Sequence, residues 1–149
     1  MRRFICALVW TGLLTGLLAG CGDDDGDQAR EPDAAAPEPG LVQTIVLTSA
    51  GGKVSPKAFF VDEPEQLKAY VRTFDDRDDV EAAIQQAVTD AGDRPGELAV
   101  ATIAIGCDVP ESVSITEGND SVLVTPGKIA NPKQECFAPT TSIALVEIP

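Results

Sequence analysis

The sequence predicts a small α+β domain: an antiparallel β-sheet or sandwich with two amphipathic helices inserted between early and late strands. Three observations carry that expectation. Apolar residues recur at helical spacing between Leu67 and Ala91, in two stripes separated by an acidic stretch. On either side, short segments rich in Val, Ile, Leu and Thr end at Gly, Pro or Asn, the pattern of strands and turns. Aromatic residues make up only 5% of the chain, so aliphatic side chains must fill the interior.

Taken in order, Leu41 to Ser49 is expected to form a strand that runs into a turn at Gly51-Gly52. Ser55-Pro56-Lys57 reads as a further turn, and Ala58 to Val61 as a short second strand. Asp62 stands three residues before Glu65, the spacing of a capping box, with Pro64 tolerated in a first helical turn. Leu67, Tyr70, Val71 and Phe74 then fall on one helical face. Asp78 and Glu81 repeat the capping spacing ahead of a second stripe, Val80, Ile84, Ala87, Val88 and Ala91, which Gly92 and Pro95 end. The acids Asp75, Asp76, Asp78 and Asp79 therefore sit at a helix start, where free N–H groups and the helix dipole favour carboxylates.

From Glu97 the period becomes strand-like. Leu98 to Ile105 is apolar on both alternating faces, the signature of a central strand covered on both sides. Ser112 to Thr116 and Ser121 to Thr125 flank Glu117-Gly118-Asn119-Asp120 and alternate apolar with polar, as a hairpin with one wet face does. Thr141 to Ile148 supplies a last, strongly apolar strand.

The amino-terminal third has a different character. Arg2 and Arg3 precede an apolar run from Phe4 to Leu18, about the length of a secretory leader's apolar region and short of the ~20 residues a bilayer-spanning helix needs. The run ends in Leu18-Ala19-Gly20-Cys21, which resembles the lipobox of bacterial lipoproteins: Leu, a small residue, Gly or Ala, then Cys. The resemblance covers the first 21 residues. It implies that residues 1–20 are a cleaved signal peptide and that Cys21 carries a diacylglyceryl group, with further acylation at the new amino terminus. Each buried methylene contributes about 0.8 kcal/mol, and two or more chains hold firmly, so the implied partner is the membrane and the implied location its extracytoplasmic face. In two-membrane bacteria an Asp directly after the lipidated Cys signals inner-membrane retention, and here Gly22 intervenes before Asp23.

Residues 21–40 are expected to be a disordered tether. They carry Pro32, Pro37, Pro39, several glycines and seven acids against Arg30, with no apolar side chain larger than Ala after Cys21. Such a tether reaches between about 25 and 60 Å. Asp23, Asp25 and Asp27 alternate like a calcium loop, but Gln28 and Ala34 stand where that loop needs its turn glycine and closing glutamate. Residues 41–149 are left as a single globular domain, within the usual size range of ~100–150 residues.

The formal net charge is −13, and about −15 once Arg2 and Arg3 leave. That surface repels phosphate backbones, which makes nucleic acid an unsuitable partner. With Cys6 in the leader and Cys21 acylated, Cys107 and Cys136 remain as one pair in an oxidising compartment, and a disulfide between them is expected. It would join the end of the central strand to the start of the last and contribute on the order of 3.6 kcal/mol by chain entropy. A redox role would be expected to show Cys-x-x-Cys spacing, which is lacking.

Catalytic patterns are poorly supplied. The chain has no His, which removes Ser-His-Asp and Cys-His catalysis and the usual His-containing zinc sites. No Ser-x-x-Lys occurs, and Gly51-Gly52-Lys53 lacks the remainder of a phosphate loop. No cofactor or metal is called for. Among 24 acids a carboxylate-dependent hydrolase stays an alternative, with no pair singled out.

Two segments offer recognition surfaces that the bridge would bring side by side: Gly106-Cys107-Asp108-Val109-Pro110 and Glu135-Cys136-Phe137-Ala138-Pro139. A Gly-Cys-Asp-x-Pro segment with a later Glu-Cys-x-Ala-Pro segment before a Thr-rich last strand is similar to small, uncharacterised actinobacterial lipoproteins, over about residues 97 to 149. The strand order and the closing Ser142-Ile143-Ala144-Leu145-Val146-Glu147-Ile148-Pro149 also resemble the C-terminal domain of protease-complex accessory lipoproteins, although that family's Gly-Tyr-type motif is absent. The sequence-level expectation is a non-catalytic binding or structural module. An accessory or inhibitor of an envelope protease is the alternative partner reading.

Overall fold

A computed structural model describes residues 38–133 and 135–149. The leader, Cys21 and all but the last residues of the tether lie outside the described residues. The elements run β1 (Gly40–Thr48), β2 (Ser55–Phe60), α1 (Pro64–Val71), α2 (Arg77–Ala91), β3 (Glu97–Gly106), β4 (Val113–Glu117), β5 (Val122–Pro126) and β6 (Thr140–Ile148). The strands form one curled six-stranded sheet in the order β1-β6-β3-β2-β5-β4, and every pairing is antiparallel. The result is a small α+β fold made on a single sheet.

The β3–β6 ladder is the spine. It runs in register from Glu97 opposite Ile148 to Gly106 opposite Thr140, with one irregularity between Thr102 and Ala104. Both strands are buried along nearly their whole length, because each face meets a different covering layer. On one face Leu98, Val100, Ile143 and Leu145 join Ile45 of β1 and the stripes of both helices, Tyr70, Val71, Val80, Ile84 and Ala87. On the other, Ala99, Ala101, Ile103, Ala144, Val146 and Ile148 meet Val122 and Val124 of the β4–β5 hairpin. Curling of the sheet through β2 brings that hairpin over. Lys57 pairs with Leu123, and Ala58 belongs to the hairpin-side cluster. The expected alternation of the hairpin is present, with Val122 and Val124 buried while Leu123 and Thr125 face solvent.

Several sequence expectations are corrected in detail. Ser55-Pro56-Lys57 opens β2 and is not a turn. The first helix is capped by Glu63, not Asp62, and has no side-chain capping bond. The reason lies in Pro64, which fits the first helical position and holds the residue before it in extended conformation, so the helix starts one residue later than a capping box requires. The second helix, by contrast, starts earlier than expected, at Arg77 behind Asp76, again without a side-chain cap; Asp78 and Asp79 lie inside its first turn, where the helix dipole still favours them. Phe74 lies beyond α1 but remains on its buried side, because Thr73 and Phe74 donate back to the Tyr70 and Val71 carbonyls in a tightened turn.

Tyr70 anchors the helical layer. Its ring lies 5.2 Å from that of Phe59 and 5.1 Å from that of Phe74, and its hydroxyl shares a 2.8 Å hydrogen bond with the Thr102 hydroxyl on β3. Burial raises its pKa well above the ordinary tyrosine value, outweighing the opposite effect of the Thr102 bond, so it stays neutral. Gly52 has φ +96°, and a Cβ there would come within 2.6 Å of the Phe74 ring. The glycine turn after β1 is thus required both by backbone conformation and by the aromatic packed against it. At the far end of the spine, Arg94 donates to Glu147 at 2.8 Å and the Gly96 amide donates to it at 3.0 Å. These two bonds hold the Glu147 carboxyl below the usual range.

Candidate functional site: a disulfide-clamped surface

The end of the β3–β6 ladder assembles the two segments singled out in the sequence. β3 stops at Gly106, whose carbonyl accepts a 3.0 Å bond from the Thr140 hydroxyl at the start of β6. One residue further on, Cys107 is joined to Cys136 by a disulfide with Cα atoms 5.3 Å apart, inside the ordinary range for such bridges. The expected bond between the end of the central strand and the approach to the last is therefore present.

Neighbouring contacts stiffen both flanks. The Asp108 carboxylate accepts a 2.7 Å bond from the Lys133 amide, so the Gly106–Pro110 segment is also tied to the loop before Cys136. On the other flank the Pro139 carbonyl accepts a 3.0 Å bond from the Ser49 amide. Ser49, in the left-handed region at φ 60°, leads into the glycine turn, and the Thr141 hydroxyl donates 2.9 Å to the Gly51 carbonyl. Pro110 is buried and fixes the outgoing chain.

Between these fixed points one side chain stands out. Phe137 is 108% exposed, more accessible than in an extended peptide, while Tyr70 and Phe74 are each 2% exposed. Val109, at 39%, adds apolar surface on the other segment, and Ile105, at 37%, does so on the end of β3 before it. Val109 also lines a hollow of about 220 Å³ with Asp108, Glu111, Ser112, Lys128 and Ile129, whose walls are mostly polar. Burial of a Phe side chain is worth about 1.5–3 kcal/mol, so the fold forgoes that gain at Phe137.

The sequence placed Phe137 in a candidate segment but did not single it out, since exposure of one aromatic has no signature in residue spacing. It missed a second feature: a groove of about 460 Å³ between the helices, floored by Leu67 and Val71 and edged by Lys68, Arg72 and Arg77, with Asp78 and Glu81 opposite. Lys68 and Arg72 are one helical turn apart, a spacing that could have flagged it.

Among the described residues no group of three or more Cys, Asp or Glu side chains converges to hold a metal ion, and no helix is long and apolar enough to cross a membrane. Comparison of the chain with protein-family models, curated proteins and solved structures finds no match.

Proposed function

We propose that the chain is a lipid-anchored lipoprotein of the extracytoplasmic membrane face, carrying a non-catalytic binding domain that meets a protein partner through the disulfide-clamped surface. In this reading residues 1–20 are removed, Cys21 bears the lipid, residues 21–40 are the tether, and the two helices inserted between early and late strands serve as one covering layer of the sheet. The observation that carries the binding role is the full exposure of Phe137 on a loop fixed at both flanks. Exposed aromatics on a pre-organised backbone are the typical anchors of protein interfaces, because little ordering entropy is lost when they dock. The surviving pair of cysteines, as a disulfide, and the lipobox resemblance both support an exported location.

The test is site-specific photocrosslinking in intact cells with the full-length chain. A photoreactive phenylalanine analogue at position 137 should give one discrete adduct, and the same analogue at Asp93, at the opposite end of the ladder, should give none. A metabolic lipid label should enter the wild type and be lost from Cys21→Ala. Equal, diffuse crosslinking at both positions would overturn the binding surface, and undiminished label in Cys21→Ala would overturn the anchor.

A further inference from the structure

We infer that β1 is a self-recognition edge, along which a second copy of this chain lays its own β1 antiparallel across a two-fold axis. The inference does not depend on the surface at Phe137.

The two edges of the sheet are built differently. β4, at one end of the strand order, spans only Val113–Glu117 and closes on a carboxylate, the short and charged form that resists pairing with another chain. β1, at the other end among the described residues, spans Gly40–Thr48. No charged residue stands between Glu38 and Lys53, in a chain of net charge −13. Val, Ile, Leu and Thr make up most of β1, as they do the buried β6, yet Leu41 and Val46 are 36% and 44% exposed. The one irregularity of its ladder lies between Leu41 and Gln43, at the end nearer the tether, and leaves Gln43 to Thr48 regular.

The bonding pattern shows which groups this edge presents. Ser49 continues the β1–β6 register opposite Pro139, and its amide donates to the Pro139 carbonyl. Hydrogen-bonded pairs alternate with non-bonded pairs along an antiparallel ladder. Leu47 opposite Thr141 and Ile45 opposite Ile143 are therefore the pairs whose N–H and C=O groups turn towards β6. Thr44, Val46 and Thr48 turn theirs outward, along the edge of the sheet.

Those outward residues are their own complement, and this selects a second copy as the occupant. With the two-fold axis at Val46, Thr44, Val46 and Thr48 of one copy exchange N–H and C=O bonds with Thr48, Val46 and Thr44 of the other. Val46 then meets Val46 and Thr44 meets Thr48, β-branched and Thr–Thr pairs of the kind that stabilise neighbouring strands. On the helix-covered face Ile45 comes opposite Leu47, and both already belong to the apolar layer there. The contact is isologous and closes on itself. Two acidic bodies thus join along the segment where neither carries charge.

The test uses the purified full-length chain in density-matched detergent. Sedimentation equilibrium should show a reversible dimer. Val46→Lys sets like charges opposite each other at the axis and should raise the dimer dissociation constant about tenfold or more. Amide protection in β3 and β6 should stay unchanged in that variant, which separates loss of pairing from loss of fold. In isolated membranes under mild oxidation, Val46→Cys should give a disulfide-linked dimer, because opposed residues of a hydrogen-bonded pair have Cα atoms about 5.5 Å apart, within bridging range. Gln43→Cys, about 20 Å from its counterpart in this register, should not. A monomer at every concentration, a dimer indifferent to Val46→Lys, or equal bridging at positions 43 and 46 would overturn the inference. Bridging of Val46→Cys to a different protein would also overturn it, by showing that a foreign strand occupies the edge.

Discussion

The helix-covered and hairpin-covered faces of the central ladder are both dry, yet they are filled differently from each other and from the ladder's clamped end. On the helical face Tyr70, Phe74, Ile84, Ile143 and Leu145 interdigitate across the distance that separates a helix layer from a sheet. On the hairpin face Ala58, Ala99, Ala101 and Ala144 stand where the curled sheet doubles back, and small side chains let the hairpin approach. At the clamped end an aromatic ring is left in water. The contrast is that the interior needs the volume of Tyr70 and Phe74, while Phe137 contributes no burial at all. The proposed binding role gives its presence a reason.

Truncating the helical face should break this comparison most severely. Ile84, fully buried between the helical layer and the sheet, should cost the protein about 2–5 kcal/mol as Ile84→Ala, the sum of lost transfer energy and a residual cavity; urea denaturation measures it. On the hairpin face Ala101, equally buried, tolerates no further truncation of consequence and should instead respond to enlargement.

The disulfide lies at the other end of the scale of burial, since Cys136 is exposed and Cys107 half-buried. Replacing both cysteines by Ala should therefore act mainly through the unfolded chain, lowering stability by up to about 3.6 kcal/mol for the 29-residue separation. The native ladder from Gly106 opposite Thr140 should persist, visible as unchanged amide protection in β3 and β6. Loss of that protection would show the bridge to be a prerequisite of the sheet.

Smaller still should be Tyr70→Phe, which leaves the buried Thr102 hydroxyl without its partner at a cost of about 1–3 kcal/mol. Adding Thr102→Val should recover much of it, because the polar pair is then removed as a unit. A double-mutant cycle by thermal unfolding reads the coupling, and strict additivity would show the bond to be inconsequential.

Much of this architecture was legible in residue order. The double-sided burial of residues 98–105 followed from an apolar run without alternation, and the wet face of the hairpin from strict alternation at Val113 and Ile115. The cysteine pair followed from elimination. The start of the first helix was misplaced because Pro64 imposes its own register, a backbone effect stronger than the side-chain spacing at Asp62 and Glu65. The extent of β2 was hidden by Pro56, which reads as a breaker but sits at the strand's entry, a position where its missing N–H is tolerated. The exposure of Phe137 had no sequence signal, because an aromatic beside a cysteine is as compatible with a packed loop as with a projecting one.

The central claim is a division between side chains that hold the fold and one that does not, and it is measured most directly by the urea midpoint of Phe137→Ala beside that of Ile84→Ala. Ile84→Ala should unfold at clearly lower denaturant, while Phe137→Ala stays within about 0.5 kcal/mol of the wild type. If Phe137→Ala instead lost stability comparable to Ile84→Ala, the ring would be part of the packed interior and the recognition surface would not exist.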